Sequence, residues 1–85
     1  MMTLLKLHGG KYSLIERMVG TSSPAAGKRV RDIELPRDCV LVAILRNSDL
    51  LIPRGDTLIQ AADKLIAITN VDRLDKLDTM LGAGH

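Results

Sequence analysis

A two-layer α+β domain, with a small sheet and a β-hairpin on one side and helices on the other, is predicted by three features of the sequence. Two segments rich in strand-forming residues, Cys39–Leu45 and Lys64–Thr69, are almost continuously apolar. A shorter run, Leu50–Ile52, follows the first across the polar turn Arg46–Asp49, as the second strand of a hairpin would. Near the C-terminus the period changes, and Val71, Leu74, Leu77 and Leu81 recur at three and four residues, the spacing of one helical face. Strands clustered mid-chain with helical segments beside them give the order β-α-β-β-β-β-α, which buries best as one sheet under one helical layer.

Residues 1–10 read as a linker or tail that His8-Gly9-Gly10 closes, and the domain proper is expected over 11–82, with 83–85 as a second tail. Lys11–Val19 carries the first strand, where Glu16 shares a face with Leu14 and Met18. Gly20–Pro24 is a loop, because Gly permits positive φ, Pro fixes φ and the serine hydroxyls bond nearby backbone. Ala26, Val30 and Ile33 then predict a short helix, ended before Pro36. In Cys39–Leu45 the apolar run implies cover on both faces, hence a central strand in which Val42→Asp would unfold the domain. Pro53 stops the hairpin, Thr57–Ile59 forms a brief strand, and Lys64–Thr69 the last one. Asn70 caps the final helix, Asp72 suits its positive end and can pair with Lys76, and Gly82 terminates it.

Composition narrows the function. An 85-residue chain makes one small domain, which buries a modest share of its surface and gains from a partner. Tyr12 is its one aromatic residue, so the core is aliphatic and a base-stacking platform is missing. Net charge is +2 without a basic tract, which predicts no nucleic acid polymer as partner. A lone Cys39 excludes an internal disulfide framework. No apolar stretch approaches the roughly 20 residues that span a bilayer, and no secretory leader is visible, so a cytoplasmic protein without membrane insertion is expected.

Catalytic chemistry finds no foothold. Gly27-Lys28 echoes a phosphate loop, but Ser22 stands where its first glycine belongs and Arg29 where its magnesium-binding hydroxyl belongs. His8, His85 and Cys39 are too scattered for a metal site. Ser22 and Ser23 have no histidine in the body of the domain as base, and Arg54-Gly55-Asp56 reads as a tight turn rather than an adhesion signal. The reading is therefore not an enzyme, with no resident cofactor. Arg46 and Arg54 bracket the hairpin and form a candidate anion site, with Ile44 and Pro53 as its apolar neighbours. The alternative is that Asp49 and Asp56 neutralise both arginines.

The ordered set of segments resembles a known family. Ser23–Pro36, then Val40–Arg46, then Ile52–Thr57, then Ala62–Thr69 are similar to the TrkA C-terminal (RCK_C) domain over roughly residues 11–81. Two departures stand out: the family often has Gly where this chain has Ala62, and often Gly in the hairpin turn where it has Asn47-Ser48-Asp49. The resemblance implies an RCK_C-like homodimer that regulates a potassium or other cation transport system. Its implied partners are an RCK nucleotide-binding domain or a membrane cation transporter subunit. Some members bind cyclic di-AMP or another small effector at the dimer interface and others have no known ligand, so the alternative for this chain is a purely structural dimerisation domain with no small ligand.

Overall fold

The computed structural model describes residues 2–81 and shows a five-stranded antiparallel sheet with one α-helix packed on one face. The strands are β1 (Met2–Leu7), β2 (Tyr12–Met18), β3 (Cys39–Arg46), β4 (Asp49–Leu51) and β5 (Lys64–Asn70), in spatial order β1-β2-β5-β3-β4. Helix α1 spans Leu74–Leu81 after a 3₁₀ turn at Val71–Arg73. Asn70 accepts a hydrogen bond from the Asp72 N–H at 2.9 Å and so caps this helix as its sequence predicts. The expected terminator Gly82 and the tail 83–85 lie outside the described residues. No Asp72–Lys76 ion pair forms among the described residues.

Alternation decides the layers. Ser13, Ile15 and Arg17 of β2 and Leu65, Ala67 and Thr69 of β5 are buried beneath α1, whose Leu77 and Leu81 join Ile44, Ile59 and Val19 in one aliphatic core. The opposite face has no covering layer among the described residues. Leu14, Ile66 and Ile68 lie half-buried there, and Met18, Val40 and Val42 are exposed. Val42 is 42% exposed and Val40 60%. This corrects two expectations about the Cys39–Leu45 run. The middle strand of the sheet is β5, and β3 is covered on one face, so Val42 does not sit in the core. A register shift between Leu41 and Ala43 makes Val42 the extra residue of a bulge, after which Ile44 turns inward opposite Leu65.

Three further expectations are revised. The supposed tail is an edge strand: β1 pairs with β2 from Met2↔Glu16 to Leu7↔Tyr12, across a turn in which Gly9 and Gly10 both take positive φ. The predicted first helix is replaced by successive turns over 24–27 and a 3₁₀ turn at Val30–Asp32. Its backbone groups find partners across space instead of along a helix. Gly27 N–H donates to Ile59 O at 2.8 Å, Ile59 N–H to Lys28 O at 2.9 Å, and Val30 N–H to Thr57 O at 2.9 Å. Gly27 sits at φ 84°, which a helix does not accommodate. The predicted strand at 57–59 is correspondingly a single bridge, Arg29↔Leu58.

Candidate functional site

The hairpin end of the sheet holds the most structured polar cluster. Asn47 and Ser48 take φ 50° and 71°, the doubly left-handed turn that matches the twist of a two-residue hairpin loop. This turn ends β3 at Arg46, opposite Asp49. The Arg46 partner is not Asp49 or Asp56 but Asp63. Nε donates to Oδ1 at 2.8 Å and Nη2 to Oδ2 at 2.8 Å, a fork on a carboxylate that is 1% exposed. The same Nη2 donates to Leu58 O at 2.8 Å, and Gln60 N–H donates to Asp63 Oδ2 at 2.9 Å.

Burial alone would push the Asp63 carboxyl up. The Arg46 and Gln60 hydrogen bonds and the Arg46 charge outweigh it and hold the group below its ordinary value. The hydrogen bond and charge of Asp63 in turn raise Arg46. The pair therefore ties the 58–63 loop to the end of β3. Its turn carries a cost, because Ala62 sits at φ 73°, where the family often has glycine.

Arg46 keeps one edge free. Nη1 makes no hydrogen bond among the described residues, and the side chain is 25% exposed. At the same end of the sheet Leu45, Asn47, Ser48, Ala62 and Lys64 line an open cleft of about 360 Å³, and Arg46 is not among its lining residues. The other candidate residues fall elsewhere. Ile44 is completely buried and offers no atom to a ligand. Pro53 is half-buried past the end of β4. Arg54 lies three residues beyond Leu51, which pairs with Ile44, so it is carried away from Arg46, and the residue after it, Gly55, accepts a hydrogen bond from Arg31 N–H.

Two features are not legible in the sequence. The Gln60 bond of Asp63 is a local turn contact, but its Arg46 fork spans 17 residues. A second ion pair joins Arg17, buried on the core face of β2, to Asp78 of α1. The position of Arg17 in register with Ser13 and Ile15 was the available signal. Cys39 is half-buried, and burial pushes its thiol up against a smaller opposing hydrogen bond with Thr69. No cluster of metal-ligating side chains occurs among the described residues, and none of their helices is long and apolar enough to cross a membrane.

Comparison with known proteins agrees with this architecture. Residues 14–82 match the model of the TrkA-C domain. A Trk system potassium uptake protein TrkA homolog of Archaeoglobus fulgidus is 36% identical over 74 residues, which are 87% of this chain and 17% of that protein. An RCK domain solved with cda superposes with a TM-score of 0.71 at 26% identity, over 80% of this chain and 96% of that one. The RCK_C domain dimer of S. agalactiae BusR in complex with c-di-AMP gives 0.72 at 18% identity, over 86% and 94%. BusR in complex with its busAB-promotor DNA gives 0.72 at 17% identity, over 93% of this chain and 39% of that one. The BusR likeness shows the fold alone, but it places this fold in a DNA-binding protein, so the exclusion of nucleic-acid partners drawn from composition is withdrawn. With a family match over nearly the whole length and a sheet-and-helix architecture common to the solved RCK domains, the chain belongs to the TrkA-C domain family.

Proposed function

We propose that this chain is the regulatory module of a potassium-transport system on the cytoplasmic side of a membrane. It pairs with a second copy through the uncovered sheet face and binds an anionic, phosphate-bearing effector of the cyclic dinucleotide class. The carrying observation is the half-used guanidinium of Arg46. Asp63 fixes its orientation while Nη1 makes no hydrogen bond among the described residues, and Lys64, which lines a cleft at the same end of the sheet, adds a second cation. Arg46 and Lys64 hold the phosphates in this reading, while Pro53 and Arg54, past the end of β4, take no part in it. Two-fold pairing doubles the cations about one axis, which suits a ligand that is itself two-fold symmetric. The structural neighbour solved as a dimer with c-di-AMP supports the same reading. The chain spans 17% of the Archaeoglobus relative, and the remainder of such a protein, an RCK nucleotide-binding domain or a transporter subunit, is the proposed recipient of the signal.

A structural dimerisation module without ligand is the second reading, favoured by the commitment of two Arg46 nitrogens to Asp63. Calorimetry with cyclic di-AMP, ATP and NADH separates the two. Arg46→Lys is the informative variant, because it keeps a charge beside Asp63 while removing the fork. Cyclic di-AMP is expected to bind wild type and to bind Arg46→Lys at least about tenfold more weakly. No heat with any ligand from a dimeric sample leaves the structural reading.

A further inference from the structure

A second cationic cluster lies away from Arg46. Segments 29–31 and 54–58 run antiparallel, with Arg31 N–H donating to Gly55 O at 3.0 Å, Val30 N–H to Thr57 O at 2.9 Å, and Arg29 opposite Leu58. This pairing sets Arg29 and Arg31 beside the turn that Arg54 opens. Arg29 Nη1 donates to the Asp56 carbonyl at 3.0 Å, and the Arg31 Cβ lies 3.6 Å from where a Cβ on Gly55 would stand, so Arg31 packs beside the residue that follows Arg54. All three arginines are exposed, and neither salt bridge among the described residues engages them. Asp56 is the carboxylate of the same turn. Three arginines less one aspartate leave +2, equal to the formal charge of the whole chain. Lys28 is not part of the group; it lines a separate cleft with Asp32 and Glu34.

Aliphatic side chains stand among these cations. Residues directly opposite in an antiparallel bridge project to the same side, so Leu58, 43% exposed, accompanies Arg29 while Ile59 turns into the core. Ile52, 67% exposed, precedes Pro53 and Arg54 in the chain. Cationic forks beside exposed aliphatic groups match a surface that offers both phosphate and hydrocarbon.

We propose that Arg29, Arg31 and Arg54, with Leu58 and Ile52, form a docking patch for the anionic phospholipid headgroups of a bilayer surface. Guanidinium groups bind phosphate through paired N–H donors. Aliphatic side chains beside them enter the boundary between headgroups and acyl chains. Duplex DNA is a poorer fit, because the patch is built of turns with no helix or β-ribbon to enter a groove. The inference does not depend on the effector reading, since Arg46 is held by Asp63 and takes no part.

Co-sedimentation of the full chain with vesicles tests it. Binding is expected to vesicles of phosphatidylglycerol mixed with phosphatidylcholine and not to phosphatidylcholine alone, and to weaken as salt rises. Each arginine is expected to contribute about fivefold, so R29Q/R31Q/R54Q loses on the order of a hundredfold, while the triple lysine variant, which keeps the charge, retains most of the binding. Should the triple glutamine variant fail to fold by circular dichroism, the three single variants carry the same reading at about fivefold each. Absence of wild-type binding to anionic vesicles, or equal binding by the glutamine variants, overturns the proposal. Inorganic phosphate that displaces the vesicles at equal ionic strength would reassign the patch to a soluble phosphate. Tighter binding of duplex DNA through the same arginines would reassign it to nucleic acid.

Discussion

Replacing Arg46 with alanine removes two of the three hydrogen bonds that hold the Asp63 carboxylate and leaves only the Gln60 N–H at 2.9 Å. Breaking a fully buried ion pair from one side costs about 3–5 kcal/mol, mostly because the remaining charge stays buried and unpaired. Here Asp63 is buried but Arg46 is partly exposed, so water fills the vacated space and screens the carboxylate. The discounted loss is about 2–3 kcal/mol. That is about a fifth or more of the stability usual for a small domain, roughly 5–10 kcal/mol. Asp63→Ala removes the same fork and also frees the Gln60 N–H, yet it leaves an arginine that hydrates easily. The two variants and their combination form a double-mutant cycle with an expected coupling of about 2 kcal/mol. Urea unfolding at one fixed protein concentration measures it, because pairing of copies would otherwise shift the midpoint. A coupling within about 0.5 kcal/mol of zero would show that the fork does not clamp the 58–63 loop.

Three more expectations follow from the geometry. Val42→Asp should leave a folded monomer, within about 1 kcal/mol of wild type, but abolish pairing, since each of two symmetric copies would bury a carboxylate; light scattering that still shows a dimer would place the interface elsewhere. Ala62→Gly should stabilise by about 1 kcal/mol, because glycine occupies φ 73° without the Cβ penalty, and a melting temperature unchanged or lowered would refute the strain. The Asp63 carboxyl is held below its ordinary 3.8, so its contribution to stability is complete above that pH and disappears as pH falls through the lowered folded value. The urea midpoint of wild type should therefore drop more steeply below pH 3.8 than that of Asp63→Asn.

How much of this was legible depended on where each residue found its partner. Leu74, Leu77 and Leu81 bury a stripe against the sheet, and Asn70 caps two residues away, so α1 could be read from spacing alone. The strands β3 and β5 were also readable, but the burial of β3 was not. Val40 and Ile44 are equally apolar, yet one is largely exposed and the other is core, because apolarity does not record which face of the sheet the helix covers. The false helix at 25–33 had helical apolar spacing, and its Ala26, Val30 and Ile33 do pack on the core. Hydrogen bonds to residues 57–59 won over local ones, a choice that propensity does not encode. The pairing of Arg46 with Arg54 was not legible for a similar reason: they are close in sequence, but Arg46 forks onto Asp63, 17 residues on, and Arg54 follows the end of β4.

The strand order carries a consequence for how the molecule assembles in time. Chain order delivers β1 with β2 and β3 with β4 as two local hairpins, and nothing in the sheet joins them until β5, the last strand, inserts between β2 and β3. While the ribosome is still short of Lys64, each hairpin shows an unpaired inner edge, and Ile15 and Ile44 have no Leu65 or Ala67 to meet. Closing the sheet then requires two pairings distant in sequence to form together, and their loop-closure entropy must be met before either is rewarded. Such an architecture folds slowly for its size, and until β5 emerges, its nascent form is a strand-seeking object that a neighbouring polysome or a chaperone can capture.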